Sequence, residues 1–226
     1  FQNLTAGGQN AEGIDATNDL SFLCIQASMH TQLPAPSFSV RIWNGTPNEF
    51  LIKCAELTRT GVGLPAYYND EVIIPALMSR GVTLADAREY GIIGCVEPQK
   101  PFKTDGWHDA AFFNMCRPLE LVFSNGVDKG AQISIKTGNV EDMTTFEEFY
   151  NAYKAQETYM IGLMVNAINA IDTAHSERVP LPFLSCMVED CVKEGKTVQE
   201  GGAHYNFTGP QGFGIANMAD GLWAVK

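Results

Sequence analysis

The chain has 226 residues, of which 45% are hydrophobic and 18% are charged, so it is long enough for one globular domain with a sizeable core. Its formal net charge of −11 argues against a nucleic-acid or anionic-membrane partner, because both kinds of partner bind basic patches. The six cysteines form no C-x-x-C pair and no zinc-ligand spacing with histidine, which predicts reduced thiols, an intracellular compartment and no metal site.

Strands and helices are predicted to alternate along residues 1–90. Residues 1–14 are expected to form a strand or loop, alternating side chains predict a strand at 37–43, and a second short strand is expected at 65–68. Caps and apolar spacing predict helices at 15–29, 46–60, 70–79 and 83–90. Asp15 or Thr17 would cap the first helix, and Thr83 would cap the last. This alternation favours an α/β fold with a parallel sheet or barrel and helices outside.

The next stretch, residues 91–98, places a thiol and a carboxylate two positions apart. Two β-branched isoleucines between glycines predict a short buried strand that ends at Pro98. Side chains two apart in an extended chain point the same way, so Cys95 and Glu97 are expected to face one spot. Such a pair at the end of a strand is typical of α/β active sites. The alternative is a buried structural cysteine beside a solvated glutamate.

The second half of the chain is predicted to be mainly helical. Asp109 would open a helix over residues 108–124, and residues 127–143 are expected to be an exposed excursion. A long helix should start at Thr144 or Thr145, with Glu147 and Glu148 as capping-box partners. Another helix is expected near 184–194, and residues 205–212 form a predicted turn-rich loop before a helix at about Gly214.

Three segments carry a resemblance to a known family. They are Gly-Cys-Val-Glu-Pro at 94–98, Gly-Trp-His-Asp at 106–109 and Tyr-Asn-Phe-Thr-Gly-Pro-Gln-Gly at 205–212. The chain resembles the glycyl radical enzymes of the pyruvate formate-lyase type, and within them the cobalamin-independent glycerol and propane-1,2-diol dehydratases.

The resemblance covers essentially the whole chain, while the family is much longer. Both ends look cut, so residues 1–226 are expected to be the central part of the barrel domain, carrying the cysteine loop. The N-terminal part and the C-terminal glycine radical domain would then lie outside this segment. The implied fold is part of a ten-stranded α/β barrel of the glycyl radical enzyme type.

The resemblance also implies roles for individual residues. A glycine radical removes hydrogen from Cys95, and the resulting thiyl radical takes hydrogen from carbon 1 of a diol. Glu97 is expected to act as the general base for the hydroxyl at that carbon. Asp109 is expected to contact the substrate and assist the leaving hydroxyl, although alone it could simply cap a helix. His108 and Phe1 are further substrate-binding candidates, with a purely structural histidine as the alternative for His108.

These roles describe a dehydratase that converts glycerol or propane-1,2-diol to an aldehyde. The segment itself is expected to bind no cofactor, because the glycyl radical lies on the missing C-terminal part. A radical S-adenosylmethionine iron–sulfur activase would install that radical. The other expected partners are a small polyol substrate and a second copy in a homodimer, in the cytoplasm or a microcompartment of an anaerobic bacterium.

Three alternatives remain open. The chain could belong to another glycyl radical lyase, of the hydroxyproline dehydratase, choline trimethylamine-lyase or isethionate sulfite-lyase type. It could be an inactive truncated fragment. It could also be a cysteine hydrolase using Cys95 and His108, although Glu97 beside the thiol would disfavour a thiolate.

Overall fold

The computed structural model describes residues 3–226, and these residues fall into two units. The first unit runs to Thr104 and includes Met187–Glu189, and the second contains Asp105–Cys186 and Asp190–Lys226. Both units mix strands with helices, which confirms the predicted α/β class. Among the helices of residues 3–226, none is both long enough and apolar enough to cross a membrane.

The first unit has the predicted alternation of strands and helices. Its strands are β1 (Asn3–Gly7), β2 (Ser37–Ile42), β3 (Ala66–Asn69), β4 (Gly91–Ile93) and β5 (Glu97–Gln99). Its helices are α1 (Asp19–Thr31), α2 (Asn48–Arg59), α3 (Asp70–Ser79) and α4 (Leu84–Arg88). The cap of α1 is Asn18, whose side chain accepts a hydrogen bond from the Ser21 N–H, so the prediction of Asp15 or Thr17 was wrong.

Strands β1, β2 and β3 form a parallel sheet in that order. On one face, Phe38 and Val40 of β2 pack with α1 and α2 in a buried cluster that includes Phe50 and Leu57. Burial of this apolar surface is the main stabilising term for the layer. The predicted alternation of β2 is therefore confirmed on this side.

The other face of the same sheet is polar and also buried. Strand alternation and the pairing register place these polar side chains on it, among others: Asn3, Thr5, Ser39, Arg41 and Tyr68. The β4–β5 hairpin lies against this face, since the Ile92 N–H donates to Thr5 Oγ1 at 3.3 Å. Ser39 is fully buried and Arg41 is only 4% exposed.

The second unit is organised around one long helix. Its strands are β6 (Thr104–Asn114), β7 (Val127–Asp128), β8 (Ala131–Gln132) and β9 (Tyr205–Phe213). Its helices are α5 (Cys116–Phe123), α6 (Phe146–Arg178), α7 (Pro182–Ser185), α8 (Cys191–Glu194) and α9 (Ile215–Val225), with 3₁₀ turns at Val140–Asp142 and Val198–Glu200. The start of α6 is confirmed, because Thr145 and Glu148 form the predicted capping box. Helices α5 and α6 share a core built on Leu119, Val122 and Phe149.

Three predictions for this unit were wrong. Residues 104–114 form β6, which pairs with β9, so the helix expected over 108–124 is confined to α5. Strand β9 likewise replaces the loop expected at 205–212, because pairing between distant segments overrides weak local preferences. The helix expected at 184–194 is two short helices, with Asp190 between them at φ +72°.

Most residues of the segment 127–143 are exposed, as predicted. Ser134 is buried and donates to the side chain of Gln156, which is fully buried on α6. The same amide donates to the Ile135 carbonyl at 2.8 Å and to Thr137 Oγ1 at 3.1 Å. The polar interruption at Gln156 in the apolar spacing of α6 therefore binds one backbone carbonyl and two hydroxyl groups of this segment.

Candidate active site

Cys95 lies at the tip of a β-hairpin. Strands β4 and β5 pair antiparallel, with Ile93 opposite Glu97 and Ile92 opposite Pro98. The prediction of one extended strand through this stretch was wrong, because the chain reverses at Gly94, whose φ of +59° is strongly favoured by glycine. Pro98 lies inside β5 and does not end a strand.

Glu97 contacts Cys95 through the Cys95 backbone, and the expected meeting of the thiol with the carboxylate stays a prediction. Glu97 Oε2 accepts hydrogen bonds from the backbone N–H groups of Cys95 and Val96, each at 2.8 Å. A Cβ atom at Gly94 would lie 2.7 Å from the same oxygen, so a side chain there would displace the carboxylate. Glu97 therefore closes the tip of the hairpin, and the Cys95 residue is exposed on it.

Two further side chains hold the carbonyl groups of the tip. Asn3 Nδ2 donates to the Gly94 carbonyl at 2.7 Å, and Tyr68 Oη donates to the Cys95 carbonyl at 2.9 Å. Burial, supplemented by the nearby charge of Glu97, raises the pKa of Tyr68 above its usual value, so the phenol keeps its proton. Sequence analysis did not single out either donor, although strand alternation would have placed Tyr68 on the polar face.

A buried ion pair lies at the base of the hairpin. Arg41 Nε and Nη2 donate to the two oxygens of Asp70 at 3.0 and 2.8 Å, and Tyr90 Oη donates to the same carboxylate at 2.8 Å. The guanidinium also donates to the carbonyls of Arg88 and Tyr90 and lies 4.0 Å from the centre of the Tyr90 ring. The backbone N–H of Gln9 also donates a hydrogen bond to Asp70 Oδ2. Sequence analysis missed this network. Its signal in the sequence was an arginine at a polar position of the alternating strand β2.

His108 and Asp109 are neighbours on β6 of the second unit. Consecutive strand residues point to opposite faces, so the side chains of His108 and Asp109 diverge from β6. Asp109 is exposed, and its Oδ1 accepts a hydrogen bond from Gln211 Nε2 of β9. The helix-cap alternative for Asp109 was wrong. The expected approach of Asp109 to Cys95 stays a prediction.

Glycine is required where β9 passes His108. A Cβ atom at Gly209 would lie 2.9 Å from the His108 Cα atom and 3.0 Å from its carbonyl oxygen. No other residue type could occupy that position without moving one of the strands. The glycines that made residues 205–212 resemble a loop therefore allow close strand packing.

The remaining candidates are placed as follows. Phe1 lies outside the described residues. All six cysteines are free thiols, as predicted, and burial raises the pKa of Cys54 to about 11. Among residues 3–226, no cluster of three or more His, Cys, Asp or Glu side chains is arranged to hold a metal ion.

Comparison with known proteins gives a consistent result over the full length of the chain. Residues 1–226 match the family described as Pyruvate formate lyase-like. The chain is 40% identical over 227 residues to (2S)-3-sulfopropanediol dehydratase of Klebsiella oxytoca, covering 100% of this chain and 28% of that protein.

Two solved structures are more similar still. The glycerol-bound form of the B12-independent glycerol dehydratase from Clostridium butyricum is 63% identical with a TM-score of 0.98. A structure concerned with 1,2-propanediol dehydration in Roseburia inulinivorans is 67% identical with a TM-score of 0.97. Each match covers 100% of this chain but only 29% and 28%, respectively, of the longer chains. The chain therefore spans less than a third of the length of these relatives.

Proposed function

We propose, since the chain belongs to the Pyruvate formate lyase-like family, that it is the central part of a glycyl radical dehydratase acting on a vicinal diol. Glycerol and propane-1,2-diol are the substrates that the similar solved structures support. The observation that carries the proposal is the hairpin tip, where Cys95 stands exposed on a backbone that Glu97 closes. The proposed context is the barrel domain of a longer enzyme.

Cys95 has the role of hydrogen carrier in this proposal. A protein glycyl radical outside this chain supplies one-electron chemistry, and the exposed Cys95 at the hairpin tip suits the approach of such a group. The thiyl sulfur takes a hydrogen atom from carbon 1 of the diol and later returns one to carbon 2. The net change is loss of water and formation of an aldehyde, with the thiol restored.

Glu97 and Asp109 are the proposed general base and general acid. Glu97 takes the proton of the carbon 1 hydroxyl, which makes the substrate radical expel the neighbouring hydroxyl more readily. Asp109 in its protonated form gives a proton to that leaving hydroxyl, which departs as water, and the proton on Glu97 then returns to Asp109 so that both carboxyl groups are restored. Gln211 Nε2 donates a hydrogen bond to Asp109 Oδ1. His108 and Phe1 are proposed to contribute to substrate binding.

The test is Cys95→Ala in the full-length enzyme, activated anaerobically by its radical S-adenosylmethionine activase. We expect turnover of glycerol and propane-1,2-diol to be abolished while the glycyl radical signal in electron paramagnetic resonance is retained. Cys186→Ala is the matched control, because Cys186 is also an exposed thiol and should not affect turnover. Retained turnover in Cys95→Ala would refute the mechanism.

The choice of substrate is tested separately. The sulfopropanediol relative belongs to the same family, so glycerol, propane-1,2-diol and 3-sulfopropane-1,2-diol should be compared at equal radical content. We propose that the unsubstituted diols give the higher kcat/KM and that Asp109→Asn lowers it for each. We also propose a homodimer in the cytoplasm or a microcompartment of an anaerobic bacterium.

A further inference from the structure

The peptide groups on both sides of Cys95 are held by side chains. Glu97 accepts from the N–H groups of Cys95 and Val96, Tyr68 donates to the Cys95 carbonyl, and Asn3 donates to the Gly94 carbonyl. These three side chains come from β5, β3 and β1. The tip lies beyond the last paired residues of the hairpin, so the strand ladder cannot supply these bonds.

We propose that Tyr68 and Asn3 are positioning residues that fix the peptide carrying Cys95 and thereby set the position of its sulfur. This inference rests on the proposed function, because the sulfur of Cys95 must react with both the glycyl radical and a substrate carbon from a single position. Reacting atoms need an approach of about 3–3.5 Å, and a misplacement of about 1 Å can cost about 100-fold in rate.

The geometry assigns Tyr68 and Asn3 a role distinct from that of Glu97. Glu97 binds the N–H side of the tip, whereas Tyr68 and Asn3 bind its carbonyl side. Removing the Tyr68 hydroxyl therefore frees the Cys95 carbonyl without removing the proposed general base. The Cys95 carbonyl can only accept a hydrogen bond, so its partner must be a donor. The phenol of Tyr68 is such a donor, whereas an ionised carboxylate is not.

The chain provides a matched control in the adjacent residue. Tyr67 and Tyr68 are consecutive on β3, so their side chains leave opposite faces of the sheet. The Tyr67 hydroxyl lies 2.6 Å from Thr58 Oγ1 on α2, on the helix side. Tyr67→Phe and Tyr68→Phe thus delete the same atom from the same strand, on the helix side and on the hairpin side respectively.

The experiment compares these two variants in the activated full-length enzyme. We expect Tyr68→Phe to lower kcat by about 10-fold to 100-fold at equal glycyl radical content, with a much smaller change in KM. The deuterium isotope effect with carbon 1-labelled diol should rise, because hydrogen transfer becomes slower relative to other steps. Tyr67→Phe should leave kcat and the isotope effect unchanged. Equal behaviour of the two variants would overturn the proposal.

A second measurement does not depend on turnover. Hydrogen exchange of the peptide spanning residues 91–100, in the full-length protein before activation, should be faster in Tyr68→Phe than in wild type or Tyr67→Phe. Asn3→Asp replaces the amide donor with an acceptor of the same shape and should accelerate the same peptide, which keeps the test valid if Tyr68→Phe folds poorly. Unchanged exchange in both tip variants would refute the positioning role. A wild-type enzyme that carries the radical but dehydrates no diol would instead refute the proposed function.

Discussion

The two faces of the parallel sheet in the first unit are buried in different ways. On the helix face, Phe38 and Val40 pack into an apolar cluster without directional contacts. On the hairpin face, Arg41 and its partners are held by hydrogen bonds whose donors and acceptors must match one by one. The helix face stabilises the layer through buried area, and the hairpin face specifies where the backbone of the Cys95 hairpin lies.

The contrast shows how alternation in a strand should be interpreted. A polar residue at every second position usually indicates a solvent-facing side. In β2 that side is covered by the hairpin, and Arg41 is almost fully buried. Buried polar side chains need partners, so the polar face of a covered strand is where a structured site is expected.

Asp70→Ala, on the hairpin face, is expected to lower the free energy of unfolding the most. The substitution leaves the Arg41 guanidinium buried without its carboxylate, and loss of one partner of a buried pair costs about 4 kcal/mol. Hydrogen exchange of the β2 amides in the intact protein would measure the loss of unfolding free energy. Glu71→Ala, one residue along at an exposed position, should cost less than about 1 kcal/mol. Equal costs would show that the ion pair does not stabilise this face.

A somewhat smaller effect is expected on the helix face for Leu57→Ala. Leu57 is fully buried on α2, and truncating such a side chain costs about 3 kcal/mol through lost burial and the cavity left behind. The same exchange measurement applies, with Ile52→Ala on the exposed side of α2 as the control. Because no charge is involved, the cost should not change with salt concentration. A cost that falls with added salt would contradict the assignment of the cluster around Leu57 as apolar.

The smallest effect is the dependence on alkaline pH that Tyr90 adds on the hairpin face. Burial and then the charge of Asp70 raise the pKa of Tyr90 above its unfolded value of about 10. The stabilisation is therefore fully present below about pH 10 and is lost as the pH rises towards the folded-state pKa, at up to about 1.4 kcal/mol per pH unit. Unfolding temperatures measured above pH 9 should fall less steeply for Tyr90→Phe than for wild type. Parallel curves would show that Tyr90 does not contribute.

Features encoded locally could be predicted from the sequence. The alternation of β2, the capping box at Thr145 and Glu148, and the free cysteines are examples, because each depends on neighbouring residues or on composition. The helix expected at residues 108–124 failed because β6 is defined by its pairing with β9, about a hundred residues later in the chain.

The contact that the structure shows between Cys95 and Glu97 was not predicted in its geometry. Glu97 binds the Cys95 backbone N–H, and this contact arises from a chain reversal at Gly94 rather than from an extended strand. The side chains that hold the tip come from Asn3 and Tyr68, which are 91 and 27 residues away from their respective partners. Contacts at that separation leave no periodic signal in the sequence.

The way the tip is held has a consequence for how such a hairpin can diverge. The peptide groups of the tip bind side chains from three different strands. Each peptide group can reach its partner only if the number of residues between it and the paired strands is fixed. A substitution of the exposed Val96 side chain changes none of these hydrogen bonds, since Val96 contributes only its backbone N–H. Insertion of a single residue between Gly94 and Glu97 would shift donors and acceptors out of register together. The length of this loop is therefore far less free to vary than the residues at its exposed tip.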